Sequence, residues 1–423
     1  MDFRALPSGD ITLSNLTVPG WLAGRPEDLT RISLPIAAGR IAAAPAADAP
    51  VIDMAGALAL PCFIDMHTHL DKGHIWPRSP NPDGSFMGAL TTVAGDRTAR
   101  WRAEDVRARM DFSLRCALAH GTRAIRTHLD SIPPQDGISF GVFRELREDW
   151  AGRIELQAAC LVGIDGVSPD GPYRHTADLV ARAGGVLGCV TYPVPDLRDR
   201  LRAVFRLAAE RGLPADFHVD ETGDATVATL RVIAETVLEA GFAAPVTVGH
   251  CCSLAVQPEA EALATLDLVA RAGLHVVSLP MCNLYLQDRT PGRTPRWRGV
   301  TLVHEMRARG IAVSFASDNT RDPFYAYGDM DMIEVLREAT RIGHLDHSPD
   351  WSRAFLDTPA RACGFGAPSL APGASADLVI CRARNWNEFC ARPQSDRIVL
   401  RAGSAIDRRL PDYAELDHLM GTP

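Results

Sequence analysis

Between about residue 59 and residue 365, short apolar runs alternate with longer segments whose apolar positions recur at helical spacing. Eight of the runs read as strands, at 62–66, 123–127, 154–160, 186–190, 215–219, 246–249, 275–279 and 311–316. Helical patterns fill the intervals, for example 103–119, 197–211, 225–240, 258–272 and 300–309, each followed closely by a glycine (Gly121, Gly212, Gly241, Gly273, Gly310) able to close a helix. Strand and helix in alternation predict a parallel sheet, and eight such units predict a closed (β/α)8 TIM barrel. An open, doubly wound sheet gives no reason for eight units, and the early glycine-rich phosphate turn it usually carries is missing.

The flanks have a different rhythm. Short strand-like pieces at 11–18, 31–34, 40–43 and 51–54 are separated by proline and glycine, and the pattern resumes at 376–381 and 397–401. The expected organisation is a barrel over 59–365 and a small flanking β-sandwich domain built jointly from 1–58 and 366–423.

Charge and composition narrow the partners. The formal charge is −8, from 44 basic and 52 acidic residues, with no basic stripe for phosphates, so no nucleic acid is expected. No window approaches the ~20 apolar residues of a membrane span, and the first residues lack a targeting pattern, so a cytoplasmic protein away from membranes is expected. The ten cysteines lack C-x-x-C spacing and most sit in apolar runs, the behaviour of reduced core thiols. Lys72 is the only lysine in the chain.

In a barrel the chemistry gathers where strands end. The first strand ends in His67 and His69, alternate residues that face one side and bring two imidazoles to one cavity. The second ends in His128 and Asp130, the fifth in His218, the sixth in His250 and the eighth in Asp318. Any one of these histidines reads first as a core residue satisfied by a carbonyl; five strand ends carrying ionisable ligand types together point to a metal. His74, His120, His175, His304, His344, His347 and His418 read as structural.

The motifs 61-PCFIDMHTHLDK-72, 126-RTHLD-130, 218-HVDE-221, 248-VGH-250, 283-NLYLQ-287 and 315-FASDNTRDPF-324 together resemble the amidohydrolase superfamily and, within it, the cytosine deaminase group. The resemblance runs from the flanking β-segments through the whole barrel. It implies that His67, His69, His218 and Asp318 hold one divalent metal, Zn2+ or Fe2+, with Glu221 and His250 completing the catalytic set. Binuclear members bridge two metals with a lysine at the end of the fourth strand; 185-GVLGCVTY-192 has neither lysine nor glutamate, which implies a single ion.

The implied reaction is hydrolytic deamination of an amino-substituted N-heterocycle. Hydroxide generated on the metal attacks the amino-bearing carbon, Asp318 takes the water proton, Glu221 protonates the neighbouring ring nitrogen, His250 orients the attack, and ammonia leaves. Asp220 and Asp322 read as capping or loop carboxylates. Val162 stands where cytosine-binding members carry a glutamine, and Asn319 where they carry a second aspartate; with Phe324 these are the expected substrate contacts. A lost amide partner disfavours cytosine itself and leaves isocytosine, a pterin or a related amino-oxo ring. The competing readings are a metal-dependent cyclic-amide or amide hydrolase, and a non-catalytic scaffold that would not need Glu221. A homo-oligomer acting on a small heterocycle is expected; the roles of Lys72, His74 and His128 stay open.

Overall fold

The computed structural model of the chain describes residues 6–421; residues 1–5 and 422–423, the outermost positions of the expected flanking unit, lie outside the described residues. The chain begins with β1 (Ile11–Pro19), β2 (Leu29–Ala37), β3 (Arg40–Ile41), β4 (Val51–Asp53) and β5 (Leu58–Pro61). β1 and β2 pair antiparallel, and β4 and β5 lie parallel to β1 on its other side.

Eight further strands follow: β6 (Phe63–Thr68), β7 (Thr122–Asp130), β8 (Glu155–Leu161), β9 (Leu187–Thr191), β10 (Ala215–Val219), β11 (Val246–His250), β12 (His275–Ser278) and β13 (Val313–Phe315). They correspond one for one to the expected strands and pair parallel in sequence order, β6 to β8 in one sheet and β9 to β13 in a second. Isolated parallel bridges span both gaps, Ala159 to Val186 and Gly163 to Val190 on one side, Thr68 to Asp318 on the other.

Helices run between these strands, and Leu197–Arg211 shows why. Leu201, Val204, Phe205 and Ala208 recur at helical spacing and are buried, with Phe205 meeting Phe217 of β10 edge to face at 5.7 Å. Gly212 ends it at φ 64°, a left-handed conformation that a Cβ would strain, and its N–H returns to the Ala208 carbonyl. One helix, Phe86–Arg100, is additional to the alternation: it lies between β6 and the helix Ala103–His120.

The chain then returns with β14 (Leu378–Cys381), β15 (Ile398–Arg401) and β16 (Ser404–Ala405), which join the first strands in the order β16-β15-β14-β5-β1-β2-β3. Both ends therefore share one eight-stranded sheet, a single hydrogen-bonded sheet where a sandwich was expected. Its core is separate, built from residues such as Leu13, Leu34, Ile36, Leu378 and Leu400. β5 pairs with β14 and belongs to this sheet, although 59–61 fall just inside the expected barrel.

Nine of the ten cysteines are buried, and all are free. No helix among the described residues is long and apolar enough to cross a membrane.

Candidate active site

The polar residues that close the parallel strands meet at one end of the sheets. His67 and His69 leave β6, His218 sits in β10, and Asp318 follows β13. Nε2 of His218 lies 3.1 Å from Nε2 of His67 and 3.2 Å from Nε2 of His69. Asp318 Oδ1 is 3.2 Å from His69 Nε2 and 3.7 Å from His67 Nε2. Four ligands at bond lengths of ~2.0–2.1 Å around a tetrahedral ion stand roughly 3.3 Å apart, so these spacings fit one divalent cation.

The donor chemistry fits as well. Burial pushes the pKa of all three imidazoles well below the ordinary histidine value, so they are neutral and their lone pairs are available. Nitrogens converging so closely repel unless a proton or cation lies between them. Among the described residues neither buried oxygen of Asp318 accepts a well-formed hydrogen bond, a costly state for a carboxylate unless a cation compensates it.

Backbone contacts fix Asp318 against β6. Its N–H donates to the His67 carbonyl (2.9 Å), and its own carbonyl accepts from Thr68 Oγ1 (2.7 Å). One residue earlier, Ser317 gives both its N–H (3.1 Å) and its hydroxyl (2.5 Å) to the buried carboxylate of Asp65 in β6. Asp318 and His250 both adopt left-handed backbone, φ 62° and 67°, a strained conformation that recurs at functional positions.

Glu221 and His250 stand together beside this centre. Asn283 Nδ2 donates to Glu221 Oε1 (3.3 Å) and lies 3.0 Å from His250 Nδ1, which in turn is 3.6 Å from Glu221 Oε1. With the amide donating to Nδ1, His250 carries its proton on Nε2, which has no partner among the described residues. Burial pushes His250 down to about 3 and keeps it neutral. Burial first, and the charge of Asp318 second, raise Glu221 well above the usual carboxylate range. Burial pushes Asp318 up to about 7.

These groups open on a cavity of about 770 Å³. Val162, Asn319 and Phe324 line it, as expected of substrate contacts, but the Asn319 amide is already engaged: Nδ2 donates to Asp322 (2.7 Å) and Oδ1 accepts from the Cys282 thiol (3.5 Å). Asp322 also receives the Phe324 N–H (2.8 Å), while Asp220 receives Thr229 N–H (3.0 Å) and Leu230 N–H (3.1 Å), so both are turn and cap carboxylates. His74 packs edge-on to Phe112 at 4.8 Å, away from the cavity lining, and His120 pairs with Asp329 at 2.8 Å.

Several further members were given no role in the site by the sequence reading, although His128, Asp130 and Lys72 were named in it. Asn283 was visible as part of the 283–287 motif, but its bridge between Glu221 and His250 is a tertiary fact. The helix Phe86–Arg100 gives the cavity an apolar wall of Phe86, Leu90 and Val93, joined across the mouth by Ile132. Lys72 and Asp130 form an ion pair (3.0 Å) on the cavity wall, and Arg97 holds the second oxygen of Asp130 (2.7 Å). His128 is fully buried with its ring 4.0 Å from that of His67, and with His67 and His218 it makes a second group of ligand types close enough to share an ion.

Residues 153–403 match the amidohydrolase family. The chain is 55% identical over 422 residues to a pterin deaminase of Rhizobium rhizogenes, a match covering 97% of this chain and 96% of that one. Among solved structures it is similar to a 5-methylcytosine deaminase of Klebsiella pneumoniae liganded with 5-fluorocytosine, with a TM-score of 0.79, 27% identity, and coverage of 95% and 98% of the two chains. It is also similar to an N-isopropylammelide isopropylaminohydrolase of Burkholderia multivorans, with a TM-score of 0.74, 26% identity, and coverage of 94% and 98%.

Proposed function

The chain belongs to the amidohydrolase family and is a hydrolase of C–N bonds; from that premise we propose that it deaminates a pterin-like ring, replacing the amino group of a 2-amino-4-oxo bicyclic heterocycle by oxygen and releasing ammonia. The observation that carries this reading is the convergence of His67, His69, His218 and Asp318 beside the buried carboxyl of Glu221, in a chain 55% identical to a pterin deaminase. The eight parallel strands, bridged across both gaps, support a closed (β/α)8 barrel over 59–365, with 1–58 and 366–423 forming the flanking β-unit.

In this reading His67, His69, His218 and Asp318 hold one divalent ion, since β9 ends in Val190-Thr191, followed by Tyr192, with no lysine or glutamate to bridge a second. When bound, the ion supplies water made acidic enough to ionise near neutral pH. Asp318 takes the proton of the attacking water. Glu221, protonated because it is buried beside Asp318, delivers its proton to the ring nitrogen next to the amino-bearing carbon. His250, its Nδ1 held by Asn283, turns Nε2–H toward the charge that develops during attack. Leu90, Val93 and Phe86 exclude water from the far face of the ring.

The test is ammonia release from metal-loaded protein on pterin, cytosine, isocytosine and an aminotriazine, with Glu221→Gln as control. Release from pterin that disappears in the variant supports the proposal. Release from cytosine but not pterin, or from none of the rings, overturns it.

A further inference from the structure

A deaminase of an amino-oxo ring has to read the oxo edge as well as attack the amino carbon. Val162, in the cavity wall, offers no hydrogen bond. Asn319 gives Nδ2 to Asp322 and takes the Cys282 thiol on Oδ1, and Gln287 gives Nε2 to the Glu221 carbonyl (3.2 Å), so each of these neutral amides is already tied to a protein partner. Arg97 lies on the outer oxygen of Asp130 with its side chain 16% exposed.

Lys72 is different. Its residue is 4% exposed, it lines the cavity, and its charge is felt at His69, Glu221 and Asp318 alike. An ammonium has three donors and no acceptor. Among the described residues the Lys72 ammonium meets one acceptor, Asp130 Oδ1 at 3.0 Å, and otherwise stands 5.2 Å from the centre of the Phe324 ring. A buried cation with unspent donors, held in place by a carboxylate that Arg97 anchors from outside, is arranged to meet an acceptor on the ligand.

Resting on the deaminase reading, we propose that Lys72, positioned by Asp130, is the specificity residue that donates to the oxo group of the ring and so selects 2-amino-4-oxo rings over 2,4-diamino ones. A ring carrying an amino group there presents N–H against N–H and leaves the buried ammonium without its partner. Phe324, beneath the same ammonium, gives the ring a face to stack on.

The experiment is equilibrium binding, which needs no turnover. Fluorescence of the 2,4-dioxopteridine product and of a 2,4-diaminopteridine is titrated with metal-loaded wild type, Lys72→Met and Lys72→Gln, with metal content and melting temperature measured alongside. The expected result is that Lys72→Met weakens the dioxo ring by roughly 10- to 100-fold, the range for a hydrogen bond to a charged group, and leaves the diamino ring within about threefold. Lys72→Gln, which keeps a neutral donor, falls between. Equal weakening of both rings, no weakening of either, or wild-type binding of neither overturns the proposal. Lys72-dependent binding of the dioxo ring without ammonia release from pterin would sink the deaminase reading and leave this recognition standing.

Discussion

His218 carries a large share of the site because its Nε2 lies within 3.2 Å of both other imidazoles, so its loss opens one whole face of the proposed metal site. His218→Ala should reduce bound metal from about one ion per chain to near zero, read by elemental analysis after dialysis. Glu221 behaves differently: its carboxyl touches Asn283 and stands beside the ligands without joining them. Glu221→Gln should therefore keep its metal and lose a factor of at least ~10² to 10⁴ in turnover, the range for a positioned proton donor. Coordinate loss of metal in that variant would contradict the role given to it. The convergence of His67, His69, His218 and Asp318 was legible in the sequence because strand alternation and the strand-end rule predict that residues closing the strands face one end. The roles of Lys72 and Asn283 were not, since what marks them is a partner distant in the chain: Asp130 for one, Glu221 and His250 for the other.

Between elements, two long-range contacts do most of the alignment. Asp65 of β6 grips Ser317, seating Asp318 against His67. Arg397, just before β15, makes a bidentate pair with Asp331 at the start of the helix Met332–Gly343, both contacts at 2.6 Å, and so pins the flanking sheet to the parallel strands. Burial pushes Asp331 upward, but the facing Arg397 guanidinium outweighs it and holds the carboxyl below its ordinary value. A depressed carboxylate contributes its full stability above its unfolded pKa, near ~4, and loses it as pH falls through the lower folded value. Arg397→Met, which strands a buried carboxylate, should cost about 3 kcal/mol at neutral pH. Across a melting series from about pH 6 to about pH 3, the gap between wild type and Asp331→Asn should shrink; a constant gap would show that the pair does not carry the acid dependence. Neither contact has a local signature, whereas the eight strands do. Their observed bounds differ from the expected ones by a few residues, as at β7, which runs on through the polar His128 and Asp130 because the bridge to β8 continues there. The helix Phe86–Arg100 breaks the βα rhythm and so stood outside the count.

At the scale of the whole molecule, a parallel-stranded body carries His67, His69, His218 and Asp318, and an eight-stranded sheet made from both ends has its own core beside it. The sequence predicted both units and the joining of the two ends; strand order in the flanking sheet, and its being one sheet, depend on pairings between residues more than 300 positions apart, such as Leu378 with Pro61. The cavity, at about 770 Å³, lies within the size range of small-molecule sites, which accommodates the proposed bicyclic ring. Its polar floor and apolar wall favour a flat ring with one reactive edge. The central claim is that this cavity exchanges an amino group for oxygen and leaves the ring closed. Mass spectrometry of pterin incubated with metal-loaded protein, with ammonia counted in the same sample, tests it most directly. The account predicts the intact dioxo ring and one ammonia per ring converted; a product that has gained a whole water with its ring opened, or unchanged pterin, would contradict it.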